Sequence, residues 1–426
     1  MNYIEYPERD SWKSLCIRPS MNIYEIEQKV LPILKEVKTQ GDEALYKFTL
    51  VFDKVSLSSL RVTDEELSSA YRAIPEILKR AINEAKKNIE KFHIAQKEEV
   101  KIIETTPGVT CWRNSVPIER VGLYIPGGSA PLFSTLLMLA VPSKIAGCEQ
   151  IVLCTPPDDK GQIHPAILYT AHMLGIKHVY KLGGAQAIAA MAYGTATVPQ
   201  VYKIFGPGNQ YVTAAKQLVS REGVAIDMPA GPSEVAVLAN NTSKPAFVAA
   251  DLLSQAEHGA DSQVILASDN KDVIHAIHEQ IEKQSIALPR RHLVEKALQN
   301  SCSILFASLN EAMDFLNEYA PEHLIIAVDN FDQYAAQVKN AGSVFLGHYT
   351  PEAAGDYASG TNHTLPTYGF AKAYSGVSLD SFIKKITFQH ISQEGIRMLG
   401  ATIETMAEAE QLEAHKKAVR IRYDNK

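Results

Sequence analysis

Several things that would decide function at once are missing from this sequence. Its five cysteines, Cys16, Cys111, Cys148, Cys154 and Cys302, are odd in number, scattered, and never form a CxxC pair. That pattern argues against a disulfide framework and against a thiolate zinc site, and leaves buried thiols as the plain reading. Neither Cys111 nor Cys148 stands beside a histidine, so a thiolate nucleophile for an aldehyde has little support. Positive charge is also short: 42 Lys and Arg against 48 Asp and Glu give a formal net charge of -6. Without a basic stripe to displace counterions from a phosphate backbone, nucleic acid is not an expected partner. No apolar run approaches the ~20 residues of a membrane helix. The most apolar stretch, residues 131–145, is broken by Ser134, Thr135, Pro142, Ser143 and Lys144, so no membrane partner is expected. The first ten residues carry acidic groups and no apolar run, unlike a secretory signal, and the expected location is cytoplasmic. His278-Glu279 is followed at the fourth position by Glu282, which fails the HExxH ligand geometry, and no GxSxG elbow occurs. Zincin and serine-hydrolase chemistry are both disfavoured.

What is present is a globular chain of 426 residues, 46% of them hydrophobic, long enough for two or three domains. From about Glu149 onward short β-branched runs alternate with longer amphipathic ones, the pattern of parallel strands joined by helices. A first series has strands at Gln150 to Cys154, His178 to Leu182, Tyr202 to Phe205 and Glu234 to Leu238, with helices at His164 to Leu174, Ala185 to Tyr193 and Gln210 to Ser220. A second has strands at Gln263 to Ala267, Ser303 to Ala307, His323 to Val328 and Ser343 to Leu346. Two such units suggest an α/β protein with two incomplete Rossmann-like domains, from an old duplication. Helical periodicity over Ile23 to Thr49 and Thr63 to Phe92 marks a different beginning, and a helix over Gln393 to Ala418 a different end. The expected division is a helical N-terminal region over 1–100, a first Rossmann-like domain over 101–235, a second over 236–375, and a C-terminal helical arm over 376–426 suited to a partner subunit.

Three glycine-rich junctions lie in the first unit: Gly122 to Gly128, Gly183-Gly184-Ala185-Gln186, and Phe205-Gly206-Pro207-Gly208-Asn209. None is GxGxxG. The last two follow a strand and open a helix, where free N–H groups and the helix dipole favour a pyrophosphate, although tight turns alone would explain the glycines. Farther on, Gln255 and His258 stand three residues apart near the end of a helix that starts near Pro245. That spacing puts both on one face, able to grip one ion, or simply to cap the helix. Glu322 and His323 sit immediately before an apolar strand, expected at the carboxyl-facing rim of the sheet, as a candidate acid–base pair or a capped turn. Gly355 to His363 supplies a carboxylate, a hydroxyl and an imidazole in what reads as a long glycine-punctuated loop. Glu410 and His415, on the last helix beside Lys416 and Lys417, read by themselves as surface residues.

Taken together, these segments resemble the histidinol dehydrogenase family from about Arg120 to His415. The match is carried by VGLYIPGG around Tyr124, GGAQAIAA around Gln186, FGPGN ending at Asn209, DMPAGPSE around Ser233, SQAEHG around Gln255 and His258, PEHL around Glu322 and His323, and GDYASGTNH beginning at Gly355. The resemblance implies an aldehyde-dehydrogenase-like fold and oxidation of L-histidinol to L-histidine through L-histidinaldehyde, with two NAD reduced. It implies one zinc ion per subunit held by Gln255, His258, Asp356 and His415, orienting the substrate's imidazole and amino nitrogens. It also implies substrate contacts from Ser233, His323 and Glu410, NAD contacts from Tyr124, Gln186 and Asn209, water activation by Glu322, and His323 as the base. In that family the subunits are intertwined, which implies a homodimer with His415 and Glu410 acting in trans. The alternative is a zinc- and NAD-dependent dehydrogenase of another amino alcohol.

Overall fold

The computed structural model of the protein describes residues 1–19, 23–127, 130–229 and 231–424; Gly128 of the first glycine junction lies outside them. The N-terminal region holds strand β1 (Asn2–Glu5) and helices α1 (Trp12–Leu15), α2 (Ile23–Gln40), α3 (Asp42–Phe48), α4 (Asp64–Ala73) and α5 (Glu76–Ile94). The first α/β unit runs through β2 (Ile103–Thr106), β3 (Val109–Pro117), β4 (Arg120–Tyr124), α6 (Phe133–Ala146), β5 (Gln150–Thr155), α7 (Pro165–Met173), β6 (His178–Lys181), α8 (Gly184–Tyr193), β7 (Lys203–Phe205), α9 (Gln210–Ser220) and β8 (Ala225–Ile226). The second runs through β9 (Glu234–Ala239), α10 (Pro245–Ala256), β10 (Gln263–Ser268), α11 (Lys271–Ser285), α12 (Arg291–Gln299), β11 (Cys302–Leu305), α13 (Leu309–Tyr319), β12 (His323–Ala327), α14 (Phe331–Ala335), β13 (Ser343–Leu346) and α15 (Glu352–Tyr357). Strand β14 (Ile383–Ile391) and helices α16 (Gln393–Ala409) and α17 (Glu413–Arg420) complete the chain.

Two parallel sheets result, ordered β6-β5-β4-β7-β8 and β1-β11-β10-β9-β12-β13, with a small antiparallel sheet β14-β3-β2. The α/β architecture expected from the sequence is therefore the one observed. Every residue of β9, β10 and β12 is buried, which is why these strands read as continuous apolar runs rather than alternating ones. Each aliphatic side chain removed from water there contributes roughly 1.5–3 kcal/mol, so the centre of each sheet is the stable frame of its unit.

Four details differ from the sequence reading. Glu234 to Leu238, counted with the first series, is the middle of the second sheet, paired with β10 and β12. Its place in the first sheet is taken by Arg120–Tyr124, whose glycine hid its strand character. The N-terminal region is not wholly helical, since β1 pairs with β11 and extends the second sheet. The last helix is two, broken at Gln411, which adopts a positive φ of 60°.

Candidate active site

His323 is the first residue of β12, and its register partners are Val235 near the start of β9 and Ser343 at the start of β13. Glu322 and His323 thus sit at the amino ends of the strands, opposite to the carboxyl rim expected from sequence. The reason is connectivity: the pair ends the α13–β12 turn, which returns the chain to the sheet's starting edge. The same edge receives the end of α10, where Gln255 is fully buried. His258 lies just past that helix rather than on it, in a turn closed by its N–H to the Gln255 carbonyl. The side chains still meet, with Gln255 Nε2 3.2 Å from His258 Nδ1. Asp356 stands on α15, so the segment read as a loop begins as a short helix. On that helix Glu352 precedes Asp356 by one turn. His323, Glu352 and Asp356 each offer a ligand atom within 4.8 Å of the other two.

The polar atoms in this cluster are arranged for something the chain itself does not supply. His323 Nδ1 lies 3.3 Å from the Glu234 carbonyl, which can only accept, so the proton belongs on Nδ1. That leaves Nε2 as a bare lone pair, buried, without a partner, and 3.7 Å from Asp356 Oδ1. The Glu322 carboxylate accepts the Glu234 N–H at 3.0 Å and lies 3.6 Å from His323 Nδ1. Gln255 Oε1 and both Glu352 oxygens are likewise buried without a partner. Burying such groups unbonded costs on the order of 1–3 kcal/mol each, which a ligand or cation arriving among them would offset. Burial governs the protonation of the whole cluster. It drives Glu322 and Glu352 well above the usual carboxylate range and Asp356 up to about 7. It also holds His323 at about 3 and His258 below its ordinary value, so both imidazoles are neutral. A neutral imidazole is the form that ligates a metal or accepts a proton. His363 closes one side, its Nδ1–H donating to the Asp356 carbonyl at 2.8 Å and its Nε2 3.1 Å from Thr135 Oγ1 on α6. The first unit therefore touches this pocket directly.

The candidate nucleotide residues gather at the carboxyl edge of the first sheet. Tyr124 ends β4, and its hydroxyl accepts the Gly184 N–H at 3.0 Å. Gln186, in the first turn of α8, is 1% exposed with Nε2 lacking a partner. Asn209 caps α9, its side-chain oxygen accepting the N–H groups of Tyr211 and Val212. The glycines are sterically required: a Cβ at Gly206 would lie 2.0 Å from the Tyr124 carbonyl oxygen, and one at Gly127 2.2 Å from Pro156. A buried ion pair pins the Gly206 turn, with Asp227 accepting the Gly206 N–H at 2.8 Å and Lys216 donating to the Gly206 carbonyl at 2.8 Å.

The remaining candidates lie elsewhere. Ser233 immediately precedes β9, half-buried, two positions before Val235, the register partner of His323. Glu410 and His415 are exposed, on an arm whose helix α16 packs on α17, β14 and β2.

Comparison with known proteins places this arrangement. The family model for histidinol dehydrogenase matches residues 16–423. The chain belongs to the histidinol dehydrogenase family. A histidinol dehydrogenase of Bacteroides thetaiotaomicron is 58% identical over 422 residues, covering 99% of each chain. One from Yersinia pestis is 50% identical over 413 residues, 96% of this chain and 92% of its own. The crystal structure of histidinol dehydrogenase from Elizabethkingia anophelis superposes with a TM-score of 0.98 at 54% identity, covering 100% of this chain and 98% of the other. Membership in the histidinol dehydrogenase family makes this chain an NAD-dependent oxidoreductase of amino-acid biosynthesis. Among the described residues no helix is long and apolar enough to cross a membrane. Sequence reasoning missed Glu352. It stands four residues before Asp356, a helical spacing that would have paired the two had Gly355 not suggested a loop.

Proposed function

We propose that this chain oxidises L-histidinol to L-histidine through L-histidinaldehyde, with Gln255, His258 and Asp356, joined by His415 of the partner subunit, holding one zinc ion. The observation that carries this reading is the buried, partnerless Gln255 Oε1 beside neutral His258, whose ring is felt electrostatically by His323 and His363, the two imidazoles that flank Asp356. An amide oxygen, a carboxylate and imidazole nitrogens are nitrogen and oxygen donors of the kind that would hold zinc there. Zinc bound there would grip the imidazole and amino nitrogens of the substrate, and NAD would take the hydride.

The chain's own groups account for the proton chemistry. With Nδ1–H tied to the Glu234 carbonyl, His323 presents Nε2 to accept the alcohol proton as the carbinol hydride leaves. Alcohol and NAD thereby become aldehyde, NADH and a proton. An aldehyde has no second hydride to give until water adds. Glu322, oriented by the Glu234 N–H and made a stronger base by burial when ionised, would take a proton from that water while the proton held by His323 passes to the carbonyl oxygen, giving the diol and a neutral imidazole again. His323 then accepts the diol proton as the second hydride leaves, giving the acid and a second NADH. Tyr124, Gln186 and Asn209 would meet the dinucleotide, and Ser233 and Glu410 the substrate.

The homodimer is part of the same proposal. In one subunit Glu410 and His415 face solvent, and the small sheet beside the arm leaves Ile102, Ile103, Ile386 and Phe388 38–64% exposed. An uncovered apolar face next to exposed functional residues suits an intertwined partner. The test is NADH formation by purified protein on histidinol and on plain amino alcohols, with zinc analysis and the solution mass measured alongside. Equal rates on both substrates would overturn the histidinol assignment, and a fully active monomer would overturn the shared site.

A further inference from the structure

The catalytic pair is held by the backbone of one residue, and that residue is held from near the start of the chain. The N–H of Glu234 orients the Glu322 carboxylate at 3.0 Å, and its C=O orients His323 Nδ1 at 3.3 Å. Both fixed points belong to a residue whose own side chain points the other way, into a buried network. There the Glu234 carboxylate receives Arg18 Nε at 2.7 Å, the Tyr368 N–H at 2.7 Å and the Tyr319 hydroxyl at 3.0 Å. The Arg18 and Glu234 side chains are only 9% and 1% exposed. Arg18 is itself clamped, its guanidinium 3.7 Å from the centre of the Tyr319 ring and donating to the carbonyls of Cys16 and Tyr319. A planar fork of this kind fixes a carboxylate in direction as well as position, which a point charge does not.

We infer that Arg18, with Glu234, is a positioning residue for both proton-transfer groups: it locks the Glu234 backbone, whose N–H and C=O orient Glu322 and His323. The inference rests on the assignment of Glu322 and His323 as the acid–base pair. It gives a role in the reaction to the segment before α2, far in sequence from the site it serves.

Arg18→Met removes the fork and keeps most of its apolar volume. The expected result, in zinc-loaded enzyme, is a fall in kcat per bound zinc on the order of 10–100-fold, the cost of misplacing reacting groups by about an ångström. KM for histidinol should stay within about twofold. Arg18→Lys should recover part of the loss, since an ammonium reaches Glu234 but cannot fork. A purely structural role predicts something else: a lower Tm and less zinc-loaded protein, with kcat per bound zinc unchanged and no difference between Lys and Met. That outcome overturns the inference. If Arg18→Met does not fold, Glu234→Gln weakens the fork while keeping the side chain's shape, and a kcat per bound zinc equal to that of the parent enzyme would overturn it equally. Glu322→Gln and His323→Asn, measured in parallel, separate the two levels. Full activity in those variants means that the acid–base assignment itself has failed, whereas their inactivity beside an unimpaired Arg18→Met condemns only the positioning role.

Discussion

Apart from the added β1, the two parallel sheets share one strand order and use opposite ends of it. In the first, β4 is flanked by β5 and β7; in the second, β9 is flanked by β10 and β12, and each chain path reverses at that central strand. The first unit places Tyr124, Gly183, Gly184 and Gly206 to Asn209 beyond the carboxyl ends of β4, β6 and β7, where α8 and α9 begin. The second places Glu322 and His323 at the amino end of β12, where α10 finishes with Gln255 in its last turn. Helix starts carry about half a positive charge and helix ends about half a negative one. The same scaffold thus makes an edge suited to a pyrophosphate and an edge suited to a cation. The edges also differ in completeness. Polar groups of the first are largely bonded to backbone, Gln186 Nε2, Gln210 Oε1 and Asp53 Oδ2 excepted. Those of the second are left open at Gln255, His323 and Glu352.

This contrast is broken most decisively at the second edge. His323→Asn should lower kcat by about 10²–10⁴-fold, the usual contribution of a positioned proton acceptor. Glu322→Gln should be as damaging to histidinaldehyde oxidation but should spare the first hydride transfer to within a few fold. Separate assays on the alcohol and the aldehyde check both, and equal damage to the two steps would remove the assigned division of labour. His258→Asn comes next. It should reduce zinc content and weaken histidinol binding about 10–100-fold, while chelation should abolish turnover reversibly. An unchanged metal content in that variant would count against His258 as a ligand.

At the first edge the effects should be milder and confined to the dinucleotide. Gly184 has φ of 63°, and a Cβ there would lie 2.8 Å from Gln186 Oε1. Gly184→Ala should therefore displace the Gln186 amide and raise KM for NAD by roughly 3–10-fold, with a stability cost of about 1–2 kcal/mol from the left-handed backbone. Zinc content and histidinol affinity should not move. A matching loss of both would show that the two edges are not the separate sites the comparison makes them.

Much of this was legible beforehand because the signals were local. Long apolar runs gave most strands to within a residue or two, and the Gly-Gly and Pro-Gly-Asn turns marked where helices open. Three kinds of information were not local. Which sheet Glu234–Ala239 joins depends on pairing with β10 and β12, not on its own letters. Which edge Glu322 and His323 occupy depends on the direction in which α13 returns the chain. And Arg18, one residue in an unremarkable stretch, gains its role only through Glu234, 216 positions away. Of the site itself, Gln255, His258, His323 and Asp356 were picked out as residues. Their convergence rested on resemblance, and it took the fold to add Glu352 beside His323 and Asp356.

Asp53 gives the finest probe of the first edge. It arrives from the end of the N-terminal helices, and its Oδ1 would lie 3.4 Å from a Cβ at Gly183, beside the turn that Tyr124 holds. Oδ2 is buried without a partner, and burial pushes the carboxyl up from 3.8 to about 6. The folded chain therefore binds a proton that the unfolded chain has released between about pH 4 and 6. Where the native state holds more protons, stability falls as pH rises. The stabilisation is fully present below about pH 4 and gone above about 6. For a side chain that keeps some solvent contact, the change should be on the order of 1–2 kcal/mol rather than the full linkage value. Asp53→Asn, which needs no proton to be neutral, should flatten that slope and make the protein more stable than its parent at pH 7, by a few degrees in Tm. Denaturation followed from pH 4 to 7 in both proteins decides it. Parallel curves would mean that the Asp53 carboxylate finds a donor at this edge after all, and that the first edge is as fully bonded as its backbone turns suggest.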